Sequence, residues 1–558
     1  MTNLRHDRFR KLDRRDFDVV VVGAGVGGLT AAALLAQRGR SVLVLDRHYL
    51  AGGNATIFKR PGYEFDVGVH YVGQCASGGP LPCILEAAGA RVKFNPMDPD
   101  GFDTLLVEGR EFRVPIGLDA YRERLVAHFP AEREGIDRYI RFLQGAEAIQ
   151  KTVQSPRQGL RGLGTHARGA LTALRWVDST LGQFLDTCTR DPALRTVLAG
   201  EAGTYAEPPS RASLALHAAL MLHYLEQGGF YPEGGGQVMA DELAASIERS
   251  GGKLLLSSRV TEILVENGRA VGVSFENKHL GPTTVRARAV ISNADIKRTF
   301  LSLVNVRHWS GKALKRAKSW EMAPALGVAY LGVKREVFAK LPRNTNYWVY
   351  PHTDLDALYD DARAGRMTSD PMVYATIASL KDPTNPRLSP PGVVNLQLMT
   401  VAPSQPSAWG VSDAQVQSGE YSESERYLAE KVAFATRMKR VAEQALPGLG
   451  QSVVFEEVAT PLTHSRYTLS TGGTSYGLAL TPSQFLHRRP GAKTEIEGLY
   501  LCGASCQMGH GILGSMVNGV VAAAALAGRE VFTDAMAGRR AARSAAPGVA
   551  GSPAPAMG

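Results

Sequence analysis

Phe17-Asp18-Val19-Val20-Val21-Val22-Gly23-Ala24-Gly25-Val26-Gly27-Gly28-Leu29, continued by Ser41-Val42-Leu43-Val44-Leu45-Asp46, decides how this 558-residue chain begins. Phe17 to Val22 is an apolar run closing on glycine, the pattern of a strand buried on both faces of a parallel sheet. Leu29 to Arg38 is rich in Ala and Leu and reads as a helix, which Gly39 ends in the C′ position. Ser41 to Leu45 is a second buried strand. Gly23 permits the tight turn between strand and helix. Gly25 lets the backbone approach a pyrophosphate, and Gly28 lets helix and strand pack closely. Phosphates would then rest on free N–H groups at a helix N-terminus, where the dipole favours negative charge. Asp46 stands 18 residues after Gly28, at the end of the second strand, where a carboxylate can take ribose hydroxyls. With strand, helix and acid in register, this is a dinucleotide-binding β-α-β unit of Rossmann type.

That unit alone does not choose between nicotinamide and flavin dinucleotides. The residues after it do. Asp46-Arg47 is followed by Ala51-Gly52-Gly53-Asn54, a second glycine pair placed to pass the ribityl and phosphate side of a longer cofactor. Then comes Phe65-Asp66-Val67-Gly68-Val69-His70-Tyr71. No second fingerprint follows, because Gly159-Leu160-Arg161-Gly162-Leu163-Gly164 lacks a preceding strand and reads as a loop. No redox Cys pair follows the first unit either. A dedicated NAD(P) domain and a disulfide reductase are therefore not expected; on the residues after the β-α-β unit the cofactor is read as FAD, bound non-covalently, and no metal site is expected.

At this point the chain resembles the phytoene desaturase branch of FAD-dependent oxidoreductases, which also holds carotenoid isomerases and relatives of all-trans-retinol 13,14-reductase. The Phe65–Tyr71 turn carries the resemblance, since plainer desaturases tend to have proline after the glycine. So do Tyr231-Pro232-Glu233-Gly234-Gly235-Gly236 with Ser258-Arg259-Val260, and Gly498-Leu499-Tyr500-Leu501-Cys502-Gly503-Ala504 running through Gly509-His510-Gly511-Ile512-Leu513-Gly514. The resemblance implies that the backbone of Val260 holds adenine and that Gly503, Gly511 and Ile512 close over the flavin. It further implies that the N-terminus of the last helix faces the flavin pyrimidine, where its dipole tunes the cofactor. With Gly23, Gly25, Val26, Gly28, Asp46, Arg47, Gly53, Asn54, Gly68 and Val69, these make the expected cofactor site. The same resemblance brings His70 and His510 nearest the isoalloxazine. An imidazole with a pKa near 6.5 suits the proton that accompanies hydride transfer, and Tyr71 is a third candidate. Either histidine could equally be a hydrogen-bonded wall residue.

The remaining sequence divides around this frame. The expected class is α/β, a discontinuous Rossmann-type FAD-binding domain (16–78, 229–300 and 490–533) interleaved with a mixed-sheet and helical substrate domain (79–228 and 301–489). Residues 80–227 read as helical, Asn267-Gly268 as a hairpin turn, and Val517 to Ala527 as a closing helix. The net charge is +10, but the basic arm 1–15 holds +4 of it and the stretch after Ala535 holds +3. The body is left with about +3, which takes most of the force from a nucleic-acid reading. Residues 534–558, rich in Ala, Pro, Gly and Ser, read as a disordered tail. Five scattered cysteines (Cys75, Cys83, Cys188, Cys502 and Cys506) argue against a disulfide framework and for a reducing compartment. The polar N-terminal arm does not read as a signal peptide, and no apolar run is long enough to span a bilayer. Lys151 to Arg175 spaces basic residues among leucines, as does Lys312 to Trp320 more weakly. Such segments can lie on an anionic bilayer, although a solvated helix face is the commoner explanation. The expected setting is cytoplasmic, with peripheral contact on the inner face of the membrane as the further possibility.

The expectation is thus hydride exchange between flavin N5 and a carbon of a hydrophobic, polyene-like substrate. Desaturation, saturation and double-bond isomerisation are all open. Two rivals remain: an amine or amino-acid oxidase, and a non-catalytic lipid-binding protein on the same scaffold.

Overall fold

The computed structural model describes residues 12–154, 164–339, 341 and 344–541. Two seven-stranded sheets organise them into a mixed α/β fold. The first sheet draws on both ends and the middle of the chain. Asp16–Val22 pairs in parallel with Val42–Leu45 on one side and with Gly281–Ser292 on the other. Leu499–Leu501 pairs in parallel with the end of that long strand, Val290 to Ser292. Lys253–Leu255 extends the sheet at one edge, and the Ser258–Glu266/Arg269–Asn277 hairpin extends it at the other. Asn267 and Gly268 take φ of +48° and +77°, the two left-handed residues that a tight hairpin of this twist requires.

Val19, Val20, Val21 and all of Val42–Leu45 have no exposed surface. Such continuous burial is why these strands read as unbroken apolar runs. The opening helix, Val26–Ala36, is buried at every one of its positions. It sits tightly on the first strand: a Cβ added at Gly28 would lie 2.3 Å from the carbonyl oxygen of Gly23.

The second sheet runs in the order Val453–Ala459, Ala325–Lys334, Val393–Ala402, Val373–Ile377, Asn346–Tyr350, Asp103–Val107, Arg110–Val114. It is antiparallel apart from the pairing of Asn346–Tyr350 with Asp103–Val107. The uniformly helical reading of 80–227 is corrected here, since Phe94–Pro96, Asp103–Val107 and Arg110–Val114 are strands. Leu105, Val107, Phe112 and Val114 turn inward into the core. Glu108 and Gly109, at φ +46° and +80°, form the turn between them, and glutamate is not the residue such a turn usually announces itself with.

Two other boundaries move. The closing helix runs Gly511–Ala527, starting at Gly511 and not at Val517. Gly514 sits there because an added Cβ would come within 2.7 Å of the Met508 carbonyl oxygen, so this glycine serves close packing and does not break the helix. Part of the expected tail is also structured. Glu530–Met536 is a helix with Val531 and Ala535 buried, and Asp534 pairs with Arg38 at 2.9 Å. Residues 542–558 of the tail, 1–11 of the basic arm, and 155–163 of the Lys151–Arg175 segment (with all of the Gly159–Gly164 loop except Gly164) lie outside the described residues. All five cysteines are free thiols.

Candidate functional site

A cavity of about 1790 Å³ lies between the C-terminal edge of the first sheet and one face of the second. That exceeds the roughly 300–1,000 Å³ of a site for one small ligand. Gly23, Gly25, Val26, Asp46, Arg47, Gly53, Asn54, Gly68, His70, Tyr71, Val260, Gly503, His510, Gly511 and Ile512 all line it. Two expected site residues do not. Gly28 serves helix–strand packing, as above. Val69 is 1% exposed and is wedged against Gly236, where an added Cβ would lie 2.7 Å from its own Cβ, so it positions the Gly68–His70 turn from behind.

The two ends of the chain meet at this cavity. A Cβ on Gly27 would lie 2.7 Å from the Ser515 carbonyl oxygen and 3.2 Å from Gly503 Cα. Asn293, at the end of the Gly281–Ser292 strand, braces the junction. Its Nδ2 donates to Gly23 O at 3.2 Å and the Cys502 thiol donates to its Oδ1 at 3.4 Å. Nothing in the local sequence marks this residue beyond its place after a buried strand.

Several features suit a dinucleotide. The opening helix is N-capped by Gly25 and the closing helix by His510, and neither has a side-chain cap. Their first-turn N–H groups are therefore left for a ligand, with the positive ends of both dipoles on one cavity. The Asp46 carboxylate is held in place by Ala24 N–H at 2.7 Å and His48 N–H at 2.8 Å, leaving lone pairs for hydroxyls. Arg47 donates to Arg466 O at 2.5 Å, and burial together with nearby Arg259 and Arg298 lowers its pKa. Among the described residues, Arg47, Arg259 and Arg298 are not ion-paired to any carboxylate, so a positive rim faces the place where a diphosphate would lie. The Asn54 side chain is engaged elsewhere, donating to Ser475 O at 3.0 Å and meeting His464 Nε2 at 2.9 Å. FAD would fit these residues: the helix termini and rim could take its diphosphate, Asp46 its ribose, and the 503–512 wall its far end.

Behind His70 and Tyr71 lies a buried polar network that the sequence did not reveal. Tyr71 donates its hydroxyl proton to Asp103 Oδ2 at 2.9 Å, and Asn346 Nδ2 donates to Asp103 Oδ1 at 2.7 Å. The Lys381 ammonium donates to His70 O at 2.8 Å, to Thr376 Oγ1 at 2.5 Å and to Asn346 Oδ1. Burial pushes Asp103 up to about 6 and pulls Lys381 down to about 7. No local pattern joins residues 103, 346 and 381; the pairing of the Asp103–Val107 and Asn346–Tyr350 strands joins the first two, and the short Ala378–Lys381 helix delivers the third.

The two imidazoles differ from expectation. Burial lowers His70 and His510 to about 3, with the charges of Lys381 and Arg489 respectively acting in the same direction. Both are neutral near pH 7, and His510 Nε2 has no partner among the described residues. Neither is a charged acid at neutral pH. Because the unfolded imidazole takes up a proton below pH 6.5 and the folded one does not, each contributes stability that is present above 6.5 and lost as pH falls toward 3. For His510 this is up to about 2 kcal/mol at pH 5. His510→Phe should therefore flatten the fall in Tm between pH 6.5 and 5, measured by thermal scans at fixed buffer strength. An unchanged slope would contradict a neutral buried imidazole.

The cavity's other limb is apolar. Phe142, Ile149, Ala173, Leu216, Leu220 and Phe485 line it, and Leu174, Val177 and Leu486 stand exposed where it opens. Among the described residues no cluster of His, Cys, Asp or Glu could hold a metal, and no helix is long and apolar enough to cross a membrane.

Comparison with known proteins agrees with this geometry. All-trans-retinol 13,14-reductase of Danio rerio is 29% identical over 545 residues, covering 93% of this chain and 87% of its own. Prolycopene isomerase 1, chloroplastic, of an Oncidium hybrid cultivar is 29% identical over 522 residues, covering 92% and 84%. Among solved structures, putrescine oxidase bound to putrescine superposes with a TM-score of 0.59 at 14% identity, over 92% of this chain and 99% of that one, which speaks for the fold alone. A profile described as flavin containing amine oxidoreductase matches residues 26–527. Those limits are the first residue of the opening helix and the last of the closing one, the two helices that cross at the cavity: the chain belongs to the flavin-containing amine oxidoreductase family and is an FAD-dependent oxidoreductase.

Proposed function

We propose that this enzyme acts on the carbon skeleton of a hydrophobic, polyene substrate of carotenoid or retinoid type, in desaturation, saturation or double-bond isomerisation. The observation that carries this reading is the continuity of the apolar limb with the dinucleotide cradle in one cavity. A long apolar chain threaded down that limb would bring one end to the 503–512 wall without exposing itself to water. The retinol reductase and prolycopene isomerase relatives support the same substrate class.

FAD, when bound, supplies the capacity to give or take a hydride. The chain's own residues do the rest. The helix N-termini and the arginine rim would hold the diphosphate, with Asp46 on the ribose. Helices bearing Phe142, Ile149, Leu216 and Leu220 exclude water and orient the substrate. Tyr71 is the group best placed to handle the proton exchanged at the neighbouring carbon: it can give its own hydroxyl proton, or take one while passing its own to the Asp103 carboxylate to which it is hydrogen-bonded. His70 and His510 act as neutral walls and hydrogen-bonding groups.

The cavity mouth supports a peripheral membrane contact. Leu171 and Leu174 are 68% and 58% exposed on the Ala167–Arg175 helix, which also carries Arg168 and Arg175. Apolar anchors flanked by arginines suit an anionic bilayer from which a lipid-soluble substrate is drawn.

One experiment tests both parts. Flavin-loaded protein, reduced or oxidised, is incubated with all-trans-retinol, a cis-carotenoid and a panel of primary amines, the polyenes being supplied in anionic vesicles or in detergent. The expected result is a changed polyene by mass spectrometry or absorbance, with faster turnover from vesicles and co-sedimentation of the protein with them. Peroxide release from an amine with no polyene change would sink the proposal in favour of an amine oxidase.

A further inference from the structure

Arg489 is a charge without a counter-charge. Its side chain is 1% exposed, and its guanidinium donates to the carbonyl oxygens of Ala504 at 2.8 Å, Cys506 at 2.9 Å, Leu478 at 3.2 Å and Gln484 at 3.3 Å. No carboxylate among the described residues pairs with it. Burial pulls its pKa down to about 10, so it stays protonated at neutral pH. A buried cation neutralised only by peptide dipoles is costly, and its location indicates what it is for.

Two of those carbonyls belong to the turn that follows the Leu499–Leu501 strand and forms the cavity wall. In a trans peptide the C=O and the following N–H point in opposite directions. With the oxygens of Ala504 and Cys506 drawn back onto Arg489, the N–H groups of Ser505 and Gln507 face the other way. Ser505 and Gln507 both line the cavity, and neither N–H has a protein acceptor among the described residues. The uncapped N-terminus of the Gly511–Ala527 helix lies on the same wall. The field of Arg489 is already felt there, since it helps to hold His510 neutral.

We propose that Arg489 is a positioning residue for the cofactor: it turns the 503–507 peptides so that their N–H groups face the cavity, and it places a permanent positive charge behind the wall on which the electron-accepting end of FAD rests. The inference depends on the proposed placement of that end against residues 503–512. A positive potential at that wall favours the reduced, more electron-rich cofactor over the oxidised one and so raises the midpoint potential.

The test compares flavin-loaded wild type with Arg489→Gln, which keeps donors for the carbonyls but removes the charge, and with Arg489→Lys, which keeps the charge. The reads are the FAD midpoint potential against a reference dye and the Kd for FAD. Arg489→Gln should shift the reduction equilibrium at least tenfold toward oxidised cofactor, a fall of about 30 mV for a two-electron couple, and weaken FAD binding; Arg489→Lys should restore most of both. A flavin-loaded Arg489→Gln protein with the wild-type potential overturns the proposal. If that variant does not fold, Cys506→Asp decides the matter, because it sets a carboxylate beside an intact guanidinium. A lowered potential supports the proposal and an unchanged one overturns it. Wild-type protein that will not take up FAD would overturn the placement itself, a failure distinct from an unchanged potential.

Discussion

Protein carrying Gly25→Val together with Asp46→Ala should purify folded but colourless, with affinity for FAD reduced by at least a hundredfold, or about 3 kcal/mol. Gly25 has φ −67° and ψ 163°, an extended conformation that valine adopts without strain. A Cβ there meets only the Asn293 side chain, Nδ2 at 2.8 Å and Cγ at 3.9 Å, so the amide must give up its bond to Gly23 O and turn aside while no backbone atom is met. The backbone can therefore remain in place while the new side chain covers the helix N-terminus that would carry the phosphates. Asp46→Ala removes the carboxylate that collects Ala24 N–H and His48 N–H and would take the ribose. Each change alone leaves part of the cradle, and together they leave little. The far-ultraviolet spectrum should be preserved, while Tm should fall chiefly by loss of the stabilisation that bound FAD confers. A double variant that purifies yellow with a normal flavin-to-protein ratio would show that the cradle has been assigned to the wrong place.

The opening β-α-β unit was legible because its physics is local. Strands buried on both faces must be apolar throughout, the turn at Gly23 needs a left-handed φ of +99°, and the glycine at 28 answers a carbonyl oxygen only five residues back. The closing segment was legible as a motif, although its helix boundary was obscured by glycines that serve packing. What stayed hidden depends on pairing across distance. The 103–114 hairpin hides among helices because its turn residues are unusual. Asp103, Asn346 and Lys381 are an ordinary acid, amide and base until two paired strands and the end of a short helix bring them within hydrogen-bonding reach. Asn293 and Arg489 are the same kind of case: each matters for the backbone atoms it holds, and a sequence does not say which carbonyls a side chain will find. The histidines show a further limit. Residue type sets a pKa near 6.5, and burial in the wall lowers it to about 3, so their place on the cavity could be anticipated while their charge state could not.

Gly519→Val should unfold or severely destabilise the protein and abolish FAD binding, the reverse of the pattern expected at Gly25. The opening and closing helices cross where Gly27 meets Gly519. A Cβ at 519 would lie 2.2 Å from Gly27 O, 3.1 Å from Gly27 C and 3.2 Å from Ala31 N. All three are backbone atoms, so no side chain can swing aside and the helices must move apart. Overpacking of this kind typically costs about 1–3 kcal/mol even where side chains can give way, and here the strain falls on two buried helices. The same displacement separates the glycine turn at 23–27 from the wall at 503–512, and with them the two ends of the cofactor site. Gly519→Ala should show a milder form of both defects, because its single methyl meets the same carbonyl. Gly450→Ala is the control, since an added Cβ there approaches only Glu443 Oε2, at 3.6 Å, and should leave Tm and colour unchanged. Thermal unfolding and flavin content measured on the three proteins separate the possibilities. If Gly519→Val keeps both the wild-type Tm and a full complement of FAD, the chain ends do not cross as described and the shared cradle falls with them.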